Sequence, residues 1–128
     1  MTKILSLVAG SIAGGLTRYY MGGSIQRFCG AAFPYGTLAV NLVGCFLIGF
    51  LSAIPEGKMA MGSNARLLLM VGFCGAFTTF SAFTLETSNL LRDAAIWKAV
   101  LNVSVSVIAG LFLFRFGAFL ARIVFSSF

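Results

Sequence analysis

The 128-residue chain is 59% hydrophobic and only 9% charged, with nine Lys/Arg, three Asp/Glu, no histidine and a formal net charge of +6. An ordinary soluble domain carries about 25% charged residues, so a water-soluble monomer cannot hide this much apolar surface. The absent histidine and the scattered acids remove the raw material for imidazole metal sites, His-based triads and paired carboxylates.

Four apolar spans follow one another, at 4–23, 33–54, 66–90 and 96–125, and each is long enough to cross a ~30 Å hydrocarbon core at 1.5 Å per residue. The expected architecture is therefore an all-α membrane protein of one four-helix domain covering residues 1–128. The basic residues lie one or two at a time between these runs, as loop charges do, and do not form a nucleic-acid patch.

The first span carries Gly10 and Gly14 at helix-packing spacing and Arg18 toward its end, and Gly22-Gly23-Ser24 predicts the turn that closes it. In the second span Thr37 and Asn41 share a face at i, i+4, with Gly44 and Gly49 beyond them. Pro55-Glu56-Gly57-Lys58 predicts the next connector. The third span holds the densest polar signal, Gly72-Phe73-Cys74-Gly75-Ala76-Phe77-Thr78-Thr79-Phe80-Ser81-Ala82-Phe83-Thr84-Leu85-Glu86. Glycines, adjacent threonines and hydroxyls weaken a regular helix, and a break is tolerable only against protein or a water-filled cavity. Gly75 falls ~14 Å from the N-terminal side of the membrane, near its middle. Carbonyls freed at Gly75 and Thr78 in two subunits would meet there around one cation. Arg92-Asp93 predicts the last connector, and the fourth span places Asn102, Ser106 and Gly110 on one stripe.

On a straight-helix scale Asn41 lies ~12 Å from the far side, Phe80 ~9 Å, and Asn102 and Ser106 ~9 to 15 Å, so three helices bring polar or aromatic groups to one level. Amide and hydroxyl donors suit passage of a species that is partly desolvated on the way. The stripes carry no negative charge, which disfavours a cation pathway. Arg18 and Glu86 both approach the far side, where they either pair, line a charged vestibule, or reach the interface separately. Cys29, Cys45 and Cys74 lack C-x-x-C spacing and read as small packing residues.

Gly36-Thr37-Leu38 with Val40-Asn41-Leu42-Val43-Gly44, then Gly75 with Thr78-Thr79-Phe80-Ser81 and Phe83, then Asn102 with Ser106, resemble the Fluc (CrcB) fluoride channels of microbes. The similarity extends over essentially the whole chain, Gly14-Gly15 and Arg18-Tyr19 included. It implies antiparallel dual-topology homodimers in the cytoplasmic (inner) membrane, with two fluoride pores and a broken third helix. It further implies a structural sodium ion at the dimer centre, held by backbone carbonyls that map to Gly75 and Thr78. Phe80 and Phe83 correspond to the pore phenylalanines and Asn41 to the pore asparagine, while Ser81 and the fourth-helix stripe ending in Ser106 belong to a polar track. Position 76 and position 82 are alanines where many members have glycine and threonine.

Two other readings fit a four-helix membrane protein. A small dual-topology multidrug exporter needs a membrane-embedded acid in its first helix, and this one has none. An assembly protein would use the polar stripes only to seal helix contacts.

Alternate crossings put Lys3, Lys58, Arg66 and Arg122 on one side and Arg27, Arg92 and Lys98 on the other. With so little bias the positive-inside rule has almost nothing to act on, and the chain is expected to insert both ways. Single-cysteine accessibility labelling, in a background lacking the three native cysteines, should report both orientations. Removing Lys58 and Arg66 together, or adding lysines beside Arg92, should push the population the same way. Labelling from one side alone in the unmodified background would contradict dual insertion.

Overall fold

A computed structural model describes residues 1–54 and 62–126. The helices are α1 (Thr2–Cys29), α2 (Tyr35–Ser52), α3 (Ser63–Arg66), α4 (Gly75–Phe77), α5 (Phe80–Arg92) and α6 (Ile96–Ser126), and Leu67–Cys74 between α3 and α4 is wound as a π-helix. The rod from α3 to α4 and α5 together form the third crossing. No strand occurs among the described residues. The predicted connector Pro55-Glu56-Gly57-Lys58 lies outside them.

Three helical stretches are long and apolar enough to cross a membrane, Tyr35–Ser52, Ser63–Arg92 and Ile96–Phe125. The first helix has the length, at 28 residues, but mixes its apolar residues with Lys3, Thr17, Arg18, Gln26 and Arg27. It also runs past the turn predicted at Gly22-Gly23-Ser24. Gly22 serves packing, because it lies against Val40 and Gly36, and a side chain at Gly36 would strike the Gly22 carbonyl, whereas nothing lies within 4 Å of a Cβ at Gly23. The chain turns instead at Gly30, whose φ of 89° suits glycine.

Glycines set the distances between helices throughout. A Cβ at Gly10 would strike the Leu68 carbonyl, one at Gly14 the Phe73 carbonyl, and one at Gly72 would lie 2.8 Å from the Leu7 carbonyl, so α1 and the π segment meet backbone to backbone. The same device joins α2 to α6, where Gly49 faces the Phe114 carbonyl and Gly117 the Phe46 carbonyl. In a bilayer this closeness replaces the hydrophobic drive, since lipid tails are as apolar as leucine. The outward face of α6, including Ile108, Leu111 and Phe112, stays exposed as a lipid-facing surface would.

Gly14 and Gly15 therefore differ sharply, since nothing lies within 4 Å of a Cβ at Gly15. Gly14→Ala should lower stability by about 1–3 kcal/mol through overpacking against backbone. Gly15→Ala should be neutral or gain up to about 1 kcal/mol from helix propensity. Thermal melting in detergent will check the pair, and equal effects at both positions would contradict the packing.

Candidate functional site

The third crossing is interrupted at two residues. The helix continues through Gly75, Ala76 and Phe77, and only Thr78 (φ −92°, ψ 161°) and Thr79 (φ −153°, ψ 121°) are extended before α5 begins. The break thus falls within the Gly72–Glu86 run read from sequence, at its paired threonines, three residues beyond Gly75. The glycine sits comfortably in helical geometry, with no atom within 4 Å of where its Cβ would be. What ends the helix is competition for its backbone groups.

Asn41 on α2 supplies that competition. Its Nδ2 donates to the Thr79 carbonyl at 3.0 Å, while its Oδ1 accepts from the Thr79 amide at 2.8 Å. One side chain thereby satisfies both polar groups of an extended residue, as a neighbouring strand would. Thr79 then caps α5, its Oγ1 accepting from the Ala82 amide at 3.3 Å. The hydroxyl of Thr78 turns back to the Cys74 carbonyl at 3.0 Å, and its methyl occupies the space left by the absent side chain of Gly44. Asn41 and Gly44, one helical turn apart on α2, hold the break from the same face.

At the break the carbonyl end of α4 and the amide end of α5 approach each other. The last carbonyls of a helix and the first amides of the next are the groups left without helical partners, with partial negative and positive charge respectively. The arrangement offers oxygen ligands on one side and anion-favouring amides on the other.

Two cavities flank this point. The larger, about 810 Å³, is lined by Arg18, Gln26, Thr37, Ser81, Glu86 and Asp93 among others. Arg18 and Glu86 share it without pairing: Glu86 Oε1 accepts from Thr37 Oγ1 at 2.7 Å, and its buried Oε2 has no partner. Thr37 and Asn41 do share a face, as their spacing predicts, and both reach across to the third crossing.

The second cavity, about 480 Å³, is lined by Asn41, Gly75, Thr78, Phe80, Phe83 and Ser106 among others, with no charged side chain among the described residues on its wall. Thr79 lines both cavities. The rings of Phe80 and Phe83 lie 5.7 Å apart at 40°, and Phe80 is 79% exposed, an unusual setting for a phenylalanine that its own chain leaves uncovered. Ser106 Oγ is buried here without a hydrogen-bond partner. Ser81 stands on the other side, its Oγ 3.3 Å from Thr79 Oγ1.

The fourth-helix stripe divides. Ser106 joins the second cavity, but Asn102, 1% exposed, lines neither cavity and donates to Thr87 Oγ1 at 2.9 Å. It binds α6 to α5, the ordinary use of a buried amide between membrane helices. Equal depth along straight helices does not separate these two residues, because it carries no information about which neighbour each side chain meets.

Gln26 is the residue that sequence reasoning missed. Its Nε2 donates to the carbonyls of Gly30 at 2.7 Å and Phe33 at 2.9 Å, and its Oε1 accepts from the Gly36 amide at 2.9 Å. The loop between α1 and α2, which forms part of the larger cavity's wall, is thus organised by one side chain. The only available signal was a neutral polar residue near the end of an apolar helix.

The chain matches the family described as "CrcB-like protein, Camphor Resistance (CrcB)" over residues 5–118. It is 42% identical over 120 residues to a protein of Chlorobium phaeobacteroides, covering 94% of this chain and 93% of that one. It is 44% identical over 107 residues to one of Geobacter sulfurreducens, covering 84% and 86%. A relative in Citrifermentans bemidjiense is 40% identical over 122 residues, covering 95% and 98%. All three carry the name "Fluoride-specific ion channel FluC".

Gln26→Leu should remove three hydrogen bonds at similar side-chain size. The expected loss is about 1–3 kcal/mol, dominated by the backbone groups left unpaired. Melting in detergent measures the loss, and faster proteolysis within residues 30–36 should accompany it. Unchanged melting and proteolysis would show that the loop holds itself.

Proposed function

The chain belongs to the CrcB-like family, and from that premise we propose that it is a passive fluoride-selective ion channel, not an enzyme, that lowers intracellular fluoride. It is a multi-pass membrane protein, which we assign to the cytoplasmic (inner) membrane as an antiparallel, dual-topology homodimer. A negative interior drives an anion outward at about 2.3 kcal/mol per 100 mV, so an open pore lowers internal fluoride without ATP.

One observation carries the pore assignment. The uncharged cavity beside the break collects an unpartnered buried hydroxyl, Ser106, with the Asn41 amide and the rings of Phe80 and Phe83. A small, strongly hydrated anion needs donors that replace water without trapping it. Hydroxyls donate, the second Nδ2 hydrogen of Asn41 remains free of the Thr79 bond, and the edge of an aromatic ring is its positive part. Ser81, Thr37 and the vestibule holding Arg18 and Glu86 extend the polar path on the other side of Thr79. Asn102 stands outside this path, as packing. The exposure of Phe80 and the open side of Gly75 are consistent with a second copy covering this face.

A sodium ion at the dimer centre is part of the same reading. The carbonyl end of α4, with Gly75 open on one side, offers hard neutral oxygens, with no acid among the described residues that line the cavity beside it, a donor set that suits a hard cation. When bound, the ion supplies positive charge that holds the carbonyl ends of two subunits together.

Fluoride efflux from liposomes containing the purified protein tests the function and separates it from proton-coupled cation export or no transport. Phe80→Ile and Phe83→Ile should each lower efflux at least about tenfold, corresponding to ~1.4 kcal/mol in the barrier. Asn41→Asp should abolish it by placing a carboxylate where the anion passes. Phe112→Ile, on the exposed face of α6, should be nearly silent. Full efflux by both phenylalanine variants with normal dimer yield would remove the ring-edge role.

A further inference from the structure

Helical arithmetic identifies which carbonyls the break releases. In a continuous helix each amide bonds the carbonyl four residues earlier, so the Thr79 amide would close onto Gly75 and the Ala82 amide onto Thr78. Here the Thr79 amide goes to Asn41 Oδ1 and the Ala82 amide to Thr79 Oγ1. The carbonyls of Ala76 and Phe77 lose their helical donors at the break too, and so do those of Gly75 and Thr78, the pair assigned to sodium, whose donor amides are the two diverted here. Two side-chain acceptors account for both.

The peptide plane adds a direction. The Thr78 carbonyl and the Thr79 amide belong to one planar trans unit and point opposite ways. Fixing the amide on Asn41 aims the Thr78 carbonyl away from α2. The amide of Asn41 has only one usable orientation, because Thr79 presents a donor to its oxygen and an acceptor to its nitrogen.

We infer that Asn41 is a positioning residue for the central cation: by holding the Thr79 amide it frees the Gly75 carbonyl and aims the Thr78 carbonyl, so the pore and the ion site share one side chain. The inference rests on the sodium reading above. It makes Asn41 Oδ1 serve the cation site and Asn41 Nδ2 the anion path. Thr79 Oγ1 completes the arrangement by keeping the Ala82 amide off the Thr78 carbonyl.

The test is the sodium concentration that gives half-maximal thermal stabilisation of the full-length protein in detergent, with sodium exchanged for N-methylglucamine at constant ionic strength. Asn41→Ala should raise that concentration about tenfold, as the loss of one well-made hydrogen bond does. Phe112→Ile, on the exposed face of α6, should not shift it. Asn102→Ala breaks a buried bond away from the break, so it should lower the melting temperature and leave the sodium midpoint in place. An unshifted midpoint in Asn41→Ala overturns the inference, as does an equal shift in Asn102→Ala. Should Asn41→Ala not fold, Thr79→Val serves, since it removes the acceptor that holds the Ala82 amide away from the Thr78 carbonyl; the midpoint must rise, and an unchanged one is equally fatal. Fluoride efflux in the same preparations keeps the two readings apart. Efflux without any sodium-dependent stabilisation overturns this inference and the sodium reading it rests on while leaving the channel standing, whereas stabilisation without efflux overturns the channel.

Discussion

Two extended residues inside an apolar crossing govern the rest of this molecule. Unsatisfied backbone groups cost several kcal/mol each in hydrocarbon, so an interruption at Thr78 and Thr79 survives only if protein supplies what the missing helical turn would have supplied. Asn41 bonds both polar groups of Thr79, and Thr79 in turn caps the helix that resumes. Interrupting the helix also turns its two ends toward each other, exposing carbonyls and amides at one depth. A regular helix would spend those groups on itself and present only side chains.

Close helix packing makes the arrangement possible. Asn41 has a short side chain, so its bonds form only if α2 approaches the third crossing closely. Gly44 permits that approach by receiving the Thr78 methyl, and the backbone contact of Gly10, Gly14 and Gly72 fixes the π segment on the opposite side. The π-helix ends three residues before the break, with Gly75–Phe77 between them, in keeping with the tendency of such segments to occur near functional sites. The glycines thus act as spacers, positioning donors and acceptors that they do not carry.

The polar residues separate into those that seal and those that remain available. Gln26 and Asn102 are consumed in holding a loop and a helix pair, and neither has an obvious further task. Ser106 Oγ and Glu86 Oε2 are buried and unpartnered, and both border the cavities beside the break. Buried polar atoms normally find partners. Those left over mark the two cavities as the places where polar groups remain available.

Amino-acid sequence alone determined the membrane class, the all-helical crossings, the weakness in the third of them and the shared face of Thr37 and Asn41. These properties follow from composition, run length and local periodicity, which belong to neighbouring residues in the chain. Only the tertiary structure decided that the helix runs through Gly75 and breaks at Thr78, because the deciding acceptor, Asn41, lies 38 residues away. It also decided that Gly22 and Gly23 lie within a helix, that Glu86 meets Thr37 rather than Arg18, and that Asn102 and Ser106, though on one stripe, face different neighbours. Periodicity tells which residues share a face, whereas hydrogen bonding depends on what stands opposite that face, and for Thr37, Asn41 and Asn102 the residue opposite belongs to a different crossing.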